Sequence, residues 1–312
     1  MEIIRGLNNL TKKYTHPVIT LGNFDGVHLG HQKTIKNVID KAKETDSTSM
    51  VITFEPHPFR IIAPDREIVF LTPFDIKAEL IAELGIDVLL CIEFNREFAS
   101  ITAEDFIKDI LVDKLNASHI IVGHNYRFGQ KKQGDTDLLR HRGHQYGFTV
   151  SVVRNAQATG DTVSSSRIRL LLLDGSVHIA NKLLGRTYFI EGTVGYGAGR
   201  GAKILSTPTA NLTTPDELVP MDGVYVVKVK IDGKMYDGVS NIGNNPTFGN
   251  NKISYEVHLF DFQGDLRGAK PRVYFIKRLR EERVFKSPEE LKKQIHKDIE
   301  QAKKILNRYN TK

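Results

Sequence analysis

Short apolar runs alternate with helix-like runs through the first part of the chain. Five of these runs are rich in β-branched residues, as strands buried in a parallel sheet are. They lie at Pro17–Gly22, Met50–Phe54, Asp87–Glu93, His119–Gly123 and Phe148–Val153. Strand–helix alternation predicts an α/β domain with right-handed crossovers and a site at the carboxyl ends of the strands.

Two of the helix-like runs carry start signals. Thr72 and Pro73 predict an N-cap and a first helical residue, with the run "FDIKAELIAEL" ending at Gly85. The run "TAEDFIKDILVDKL" places Asp105 three residues after Thr102, close to a capping-box pattern. Both helices therefore have predicted starting points.

The pattern changes near Gly185, where we place a domain boundary between residues 1–185 and 186–312. From Tyr188 to about Ile276, short strands are separated by Gly, Pro, Asn and Asp turns. The segment "IDGKM" sets Asp-Gly between two alternating strands, which is a strong hairpin signal. This series of short strands and turns predicts an antiparallel barrel or sandwich.

A helix is predicted to close the chain. Ser287 has the features of its N-cap, Pro288 of its first residue and Glu290 of the capping-box partner. Its apolar face is expected to comprise Leu291, Ile295, Ile299, Ala302, Ile305 and Leu306.

The composition indicates in which compartment the protein is expected. The 312 residues are 40% hydrophobic and 26% charged, and no run approaches the roughly 18 apolar residues of a membrane span. The single cysteine, Cys91, excludes an internal disulfide and lies in an apolar run, as expected of a buried residue in the cytoplasm, although a reactive thiol stays open.

The net charge of +7 is concentrated in the last 43 residues, where 14 Lys and Arg face 6 Asp and Glu. A solvated helix face explains this bias, and attraction of anionic substrates is an alternative. Nucleic-acid contact is a third possibility, but no aromatic interleaving or nucleic-acid motif accompanies the basic residues. We therefore expect no nucleic-acid or membrane partner, and the oligomeric state stays open.

The segment "GNFDGVHLGH" joins the first predicted strand to a helix. Glycines let the backbone approach a ligand, and amide groups at a helix N-terminus attract anions. His28 and His31 add donors that suit a triphosphate whose α-phosphorus is attacked. A zinc pair or a structural coincidence are the alternatives, and no Cys or HExxH pattern supplies further zinc ligands.

Three further stretches carry polar groups at predicted strand ends or helix starts. "TFEPHPFR" follows the second predicted strand and "VGHNYRFGQ" follows the fourth. "VSSSRIRLLLLDG" combines hydroxyls with Arg167 and Arg169, which suits phosphate, although an ordinary serine-capped helix would read the same way. The two loops have structural alternatives as well, because prolines stiffen one and glycines turn the other.

The second half carries "GTVGYGAGRGAKILSTPTANL", which is glycine-rich but is not a Walker A loop. Thr209 and Asn211 in its "PTAN" end are spaced to project from one side of a strand and to ligate one Mg²⁺ through oxygen. Glu256, in "YEVHLFDFQGDLRG", is a candidate general base toward a hydroxyl. A solvent-facing strand residue is its alternative.

Together these motifs resemble two modules in order. "GNFDGVHLGH" resembles the HxGH signature of nucleotidyltransferases and, with the three stretches above, the FMN adenylyltransferase module of bacterial bifunctional riboflavin kinase/FAD synthetases. The glycine-rich loop, "PTAN" and "EVHLFDF" resemble the riboflavin kinase module of the same family. The resemblance covers nearly the whole chain and implies a Rossmann-like nucleotidyltransferase domain followed by a six-stranded antiparallel β-barrel with a closing helix.

The resemblance implies a function and a set of site residues. The barrel would phosphorylate riboflavin to FMN, and the first domain would adenylylate FMN to FAD with release of pyrophosphate, both with ATP and Mg²⁺. His28, His31 and Glu256 are the implied catalytic residues, and Thr209 and Asn211 the Mg²⁺ ligands. The implied ATP and phosphate contacts are Gly22, Asn23, Gly26, Gly30, Ser164, Arg167, Arg169, Gly197, Gly199, Lys203, Thr209 and Asn211. The implied flavin contacts are Phe54, Pro56, His57, Pro58, Asn125, Arg127 and Phe128.

The chain departs from the family pattern at a few positions. Asn125 and Tyr126 stand where Asp and Phe are common, Ser206 and Thr207 precede "PTAN" in place of Gly and a large apolar residue, and Arg267 replaces a Tyr. Two other functions therefore stay open: an FMN adenylyltransferase with an impaired kinase module, and a flavin- or RNA-binding regulator on this scaffold.

Overall fold

The computed structural model describes residues 1–66, 68–154, 157–158, 160–195, 209–213, 217–244 and 253–310. Contacts between residues divide the chain into two compact units, Met1–Ser165 and Ser166–Lys312. The functional boundary expected near Gly185 stays a prediction.

The first unit contains a six-stranded sheet in which every neighbouring pair is parallel, in the order β1-β4-β3-β2-β5-β6. All five predicted strands are present. The edge strand β1 was missed, because it is a four-residue segment with one buried side chain, Ile4. The strands are β1 (Glu2–Arg5), β2 (Val18–Leu21), β3 (Ser49–Glu55), β4 (Val88–Glu93), β5 (His119–Gly123) and β6 (Thr149–Val153).

Helices connect these strands. They are α1 (Leu29–Glu44), α2 (Pro58–Ile62), α3 (Phe74–Ala82), α4 (Arg96–Ala99), α5 (Ala103–Asp105, continued by π-helical turns over Phe106–Lys114) and α6 (Thr136–Tyr146). Short 3₁₀ turns occupy Leu7–Asn9 and Gln130–Lys132, and a small ribbon joins β7 (Gln157–Ala158) to β8 (Asp161–Thr162).

The two predicted helix starts have different outcomes. Thr102 is an N-cap as predicted, because its hydroxyl accepts a hydrogen bond from the Asp105 amide at 3.1 Å. The N-cap prediction for Thr72 is wrong: α3 begins one residue later than expected, and Pro73 is the residue before it. The Thr72 hydroxyl instead accepts a hydrogen bond from the Gly26 amide. The side chain therefore makes a tertiary contact and does not cap its own helix.

The core of the first unit forms where the central strands meet the helices. β2 is buried along its whole length. Cys91 in β4 is 5% exposed, and burial raises the pKa of its thiol to about 11. The thiol is therefore protonated at neutral pH, as expected of a buried strand residue.

The second unit contains an antiparallel sheet of seven strands in the order β10-β11-β14-β13-β12-β15-β9. Its strands are β9 (Phe189–Glu191), β10 (Thr193–Val194), β11 (Thr209–Thr213), β12 (Gly223–Ile231), β13 (Lys234–Asn244), β14 (Ile253–Leu259) and β15 (Arg272–Arg280). Among the described residues, its helices are α7 (Ser165–Leu173), whose first residue belongs to the first unit, α8 (Val177–Leu184) and α9 (Pro288–Asn310).

The seven strands correct the predicted count of six, and the reason is a bend at Gly192. β9 pairs with β15 at one end of the sheet, and β10 pairs with β11 at the other. Because only Gly192 separates β9 from β10, one segment of chain joins the two ends and closes the sheet. Counted as one bent strand, β9 and β10 give the six strands of the predicted barrel.

The hairpin and the closing helix agree with the sequence. Asp232 and Gly233 join β12 to β13 with φ angles of 48° and 80°, as a type I′ turn requires. The Ser287 hydroxyl accepts a hydrogen bond from the Glu290 amide at 3.2 Å. Ala302 and Leu306 of α9 are buried against Val226 and other barrel side chains. In the described part of the chain, no helix is both long enough and apolar enough to cross a membrane.

We expect Gly192→Ala to destabilise the barrel by about 1–3 kcal/mol, the usual cost of inserting a methyl group into a packed site. A Cβ at Gly192 would lie 2.9 Å from the Thr213 carbonyl oxygen, so the paired strands would have to separate. Differential scanning calorimetry measures the change.

The matched control is Gly195→Ala, three residues along the chain, where the nearest atom to an added Cβ is the Asn211 carbonyl oxygen at 4.0 Å. Equal shifts in the two variants would contradict closure of the barrel at Gly192.

Candidate active sites

The strand order of the first unit gathers three predicted motifs at one edge of the sheet. β3, β2 and β5 are neighbours, and all run in the same direction. Gly22–His28 follow β2, Pro56–Pro58 follow β3, and Asn125 lies in the turn after β5. Because parallel strands share their carboxyl ends, these loops leave the sheet at the edge where ligands bind in open α/β folds.

The two histidines form a stacked pair at the start of α1. His28 is the N-cap of α1, and its Nδ1 accepts a hydrogen bond from the His31 amide at 3.3 Å. The two ring centroids are 3.6 Å apart with an interplanar angle of 16°. The edge of the Phe24 ring contacts His31, with the centroids 5.2 Å apart. Both imidazoles are therefore held at the positive end of a helix dipole.

The protonation of His31 follows from its surroundings. Burial lowers the pKa of His31 well below its ordinary value, and the nearby His28 and Lys77 lower it further. The His31 Nδ1 atom is buried without a hydrogen-bond partner. His31 is thus neutral in the ligand-free protein at neutral pH. A bound polyphosphate would favour its protonated form, because an opposite charge nearby raises the pKa of an imidazole.

The turn before His28 holds strained backbone. Phe24 and Val27 have φ angles of 50° and 39°, in the left-handed region that non-glycine residues rarely occupy. Gly26 between them has φ 83°, where glycine carries no such penalty. Strain of this kind persists only where the surroundings hold it in place, and it concentrates at ligand-binding sites.

Asp25 holds the turn. Its buried carboxylate accepts hydrogen bonds from the Leu71 amide (3.0 Å), the Thr72 amide (3.1 Å) and the Thr72 hydroxyl (3.3 Å). The Thr72 hydroxyl in turn accepts from the Gly26 amide at 3.1 Å. The Ser165 hydroxyl donates to the Asp25 carbonyl at 2.8 Å. One aspartate therefore joins the histidine turn to the segment before α3 and to the first residue of α7.

Asn23, a predicted ATP contact, has its backbone carbonyl held by two buried side chains. Its carbonyl oxygen accepts hydrogen bonds from the Lys77 ammonium and from the Thr53 hydroxyl, both at 3.3 Å. Lys77 is 4% exposed and Thr53 is fully buried. The turn is thus anchored to α3 on one side and to β3 on the other.

The residues predicted to contact flavin after β3 form an aromatic wall. His57 is the N-cap of α2, and its Nδ1 accepts a hydrogen bond from the Phe59 amide at 3.2 Å. Its ring packs against Phe70 with the centroids 4.5 Å apart. Pro58 is the first residue of α2. Phe54, at the end of β3, packs against Phe94 with the centroids 5.8 Å apart.

The residues after β5 differ in their exposure. Asn125 and Arg127 are exposed, so both are accessible to a ligand. Phe128 is only 7% exposed, and its ring packs between Tyr126 and Phe106 at centroid distances of 5.5 Å each. Asn125 thus has the surface that a flavin contact needs, whereas Phe128 supports the loop from inside the core.

The residues of the "SSSRIR" stretch lie at the start of α7. Ser164 is half-buried just before the helix, Arg167 is exposed, and Arg169 is half-buried. Their roles toward phosphate stay predictions.

In the second unit, strand register assembles the candidate kinase residues. Asn211 in β11 lies directly opposite Glu256 in β14, and Asn241 in β13 lies opposite Glu256 on its other side. Residues paired in this way share one face of a sheet. The three side chains are half-buried, and the row offers carboxylate and amide oxygens together.

Other residues predicted for this site have only part of their surroundings described. Gly197, Gly199, Lys203, Ser206 and Thr207 lie outside the described residues. Thr209 belongs to β11 and pairs with His258. Arg267 donates from Nε to both carboxylate oxygens of Asp265, at 2.9 and 2.7 Å, and is exposed.

Sequence reasoning missed Asp25, Thr72, Lys77 and Asn241. Lys77 had a signal, because it precedes Leu80 and Ile81 by three and four residues and so shares their buried face. Asn241 had none, since its significance comes from pairing with Glu256. Among the residues that the structure describes, no set of three His, Cys, Asp or Glu side chains could hold a metal ion.

Comparison with known proteins gives a separate match for each part of the chain. A family model for FAD synthetase matches residues 10–167, and one for riboflavin kinase matches residues 184–306. A crystal structure named as a macrolide-efflux protein from Streptococcus pneumoniae superposes with a TM-score of 0.89 at 30% identity, covering 97% of this chain and 99% of that one.

Three relatives share the name bifunctional riboflavin kinase/FMN adenylyltransferase. The protein of Buchnera aphidicola subsp. Schizaphis graminum is 40% identical over 311 residues, covering 98% of this chain and 99% of the relative. That of Pseudomonas fluorescens is 40% identical over 306 residues, covering 98% of each. That of Escherichia coli K12 is 37% identical over 300 residues, covering 96% of each. Because these matches extend over both units, the chain belongs to the family of bifunctional riboflavin kinase/FMN adenylyltransferases.

Proposed function

We propose that this chain makes FAD from riboflavin in two steps, with ATP as the phosphate and adenylyl donor. Residues 186–312 phosphorylate riboflavin to FMN, and residues 1–185 adenylylate FMN to FAD and release pyrophosphate. The observation that carries the proposal is that each compact unit has a polar site of its own: the stacked histidines in the first, and the Asn211–Glu256–Asn241 row in the second.

The single buried cysteine, Cys91, supports a cytoplasmic location.

In the adenylylation step, an oxygen of the FMN phosphate attacks the α-phosphorus of ATP, and the bond to pyrophosphate breaks. FMN is already a nucleophile, so the protein needs to align the reactants and stabilise charge on the α-phosphate oxygens. The N-terminus of α1 supplies backbone amides and a dipole. His28 and His31 add side-chain donors at the same place, and Ser164, Arg167 and Arg169 are proposed to hold the phosphates later in the reaction.

The flavin of FMN is proposed to bind beside this turn, against Phe54, Pro56, His57 and Pro58 at the end of β3. The half-buried ring of Phe54 offers flat apolar surface to an isoalloxazine, whereas the His57 ring is buried against Phe70. Asn125, exposed at the end of the neighbouring β5, supplies an amide for the polar edge of the flavin.

In the phosphorylation step, Glu256 is proposed to accept the proton of the riboflavin 5′-hydroxyl while that oxygen attacks the γ-phosphorus of ATP and the bond to the leaving ADP breaks. Asn211 and Asn241 flank Glu256 in register, so they fix the surroundings of its carboxylate. A half-buried position protects the base from bulk water while leaving it accessible to a substrate.

Mg²⁺ suits the same row of residues. The amide oxygen of Asn211 is a hard ligand of the kind that Mg²⁺ prefers. Thr209 lies in the same strand as Asn211 and is the other proposed ligand. Mg²⁺ bound there would neutralise charge on the ATP phosphates.

Incubation of the purified protein with riboflavin, ATP and Mg²⁺, with chromatography of flavins over time, tests the proposal. We expect FMN to appear first and FAD to follow. Formation of FAD from supplied FMN without FMN from riboflavin would indicate an impaired kinase unit. Absence of product from both flavins would overturn the proposal and favour a binding protein.

We expect Glu256→Gln to lower riboflavin phosphorylation by about a hundredfold or more, the contribution typical of a general base. Adenylylation of supplied FMN should stay within about twofold of wild type, because the two sites are separate. The matched control is Glu300→Gln, which neutralises an exposed carboxylate in α9 and should leave both rates unchanged. Parallel loss of both activities in Glu256→Gln would contradict the two-site arrangement.

The double variant His28→Ala/His31→Ala should show the reverse pattern. We expect FMN adenylylation to fall by about a hundredfold or more, since preorganised donors to a developing charge contribute on this scale. Riboflavin phosphorylation should persist and report that the chain folds. His144→Ala, an exposed histidine of α6, is the control. Full adenylylation in the double variant would remove the histidines from the mechanism.

A further inference from the structure

Lys77 is a buried cation that none of the predicted roles uses. It lies in α3 and is 4% exposed, whereas lysine side chains are almost never buried without a reason. Its ammonium donates to the Asn23 carbonyl at 3.3 Å and lies 5.6 Å from the centroid of the Phe74 ring. The buried charge therefore faces the backbone of the turn that carries the candidate phosphate site.

The bond to Asn23 has a direct geometric consequence. The peptide between Asn23 and Phe24 is trans, so its carbonyl and its N–H point in opposite directions. Lys77 and Thr53 together fix the carbonyl toward the protein interior. They thereby turn the Phe24 amide away from the interior, in a segment that already holds Phe24 at a strained φ of 50°.

The charge of Lys77 acts on the histidine pair as well. Burial is the main cause of the lowered pKa of His31, and His28 and Lys77 add to it as neighbouring positive charges. Burial also lowers the pKa of Lys77, while Glu55, Asp25 and Cys91 act in the opposite direction. Lys77 is thus part of the electrostatic environment of His31.

We infer that Lys77 is a positioning residue for adenylyl transfer: it fixes the Asn23–Phe24 peptide so that the turn presents an amide to the ATP phosphates, and it places a fixed positive charge near His31. Fixed charges and dipoles aimed at developing negative charge need no reorganisation during the reaction. This role depends on the proposed adenylylation, because it assigns Lys77 to that reaction and to no other.

Lys77→Met tests the inference, since Met keeps an unbranched apolar side chain and removes the ammonium. We expect kcat/KM for FMN adenylylation to fall about tenfold or more, as loss of a charged hydrogen bond predicts. Riboflavin phosphorylation by the same protein should stay within about twofold of wild type. Lys36→Met, which removes an exposed lysine from α1, should change neither rate.

A histidine titration separates positioning from a merely structural role. In protein with ¹³C-labelled histidines, NMR should show the His31 midpoint at higher pH in Lys77→Met, because a neighbouring positive charge has gone. The midpoint should be unchanged in Lys36→Met and restored toward wild type in Lys77→Arg.

Thr53→Val supplies a second variant that keeps the charge. It removes the other hydrogen bond to the Asn23 carbonyl with little change in volume. We expect slower FMN adenylylation with an unchanged His31 midpoint. This variant also keeps the inference testable if Lys77→Met does not fold.

The outcomes are distinct. If the wild-type protein adenylylates FMN and both Lys77→Met and Thr53→Val do so at the same rate, the inference is overturned and the proposed function stands. A fall in adenylylation without movement of the His31 midpoint in Lys77→Met would also overturn it, by showing a structural role alone. Failure of the wild-type protein to make FAD from FMN would instead reject the proposed function.

Discussion

The histidine turn depends on one buried carboxylate. Asp25 accepts hydrogen bonds from the amides of Leu71 and Thr72, and the Thr72 hydroxyl accepts one from the Gly26 amide. Burying a carboxylate is unfavourable unless hydrogen bonds compensate, and here backbone and hydroxyl donors from a distant segment supply them. Because the turn also contains Phe24 and Val27 at positive φ, the Asp25 network offsets strain that the turn alone would relax.

The same turn places a stacked histidine pair near a buried lysine. The rings of His28 and His31 are too close for both to carry charge easily without an anion. Lys77 adds a third basic group near His31. Such a cluster of basic groups is poised to bind polyphosphate, since an anion would relieve their mutual repulsion. Binding and protonation are therefore expected to be coupled.

In the barrel, the register of the paired strands brings the candidate site residues together. Glu256 lies opposite Asn211 and Asn241 only because β14 lies between β11 and β13. The bend at Gly192 lets β9 and β10 serve opposite ends of the sheet and so closes it. A shift of one residue in β14 would send Glu256 to the other face. Closure and register together keep the polar row on one side.

Local sequence determined five of the six strands of the first unit, the Thr102 and Ser287 caps and the Asp232–Gly233 hairpin, because periodicity, capping and turn chemistry act over a few residues. The order of its motifs indicated the family to which the chain belongs. The tertiary structure decided the bend that makes seven strands from six, the capture of the Thr72 hydroxyl by Asp25 and Gly26, and the pairing of Asn241 with Glu256. Each of these joins positions far apart in the chain, and no local pattern records which distant donor or strand will arrive. Lys77 lies between the two cases: its place on a buried helix face was legible in the sequence, but only the fold brought the Asn23 carbonyl to it.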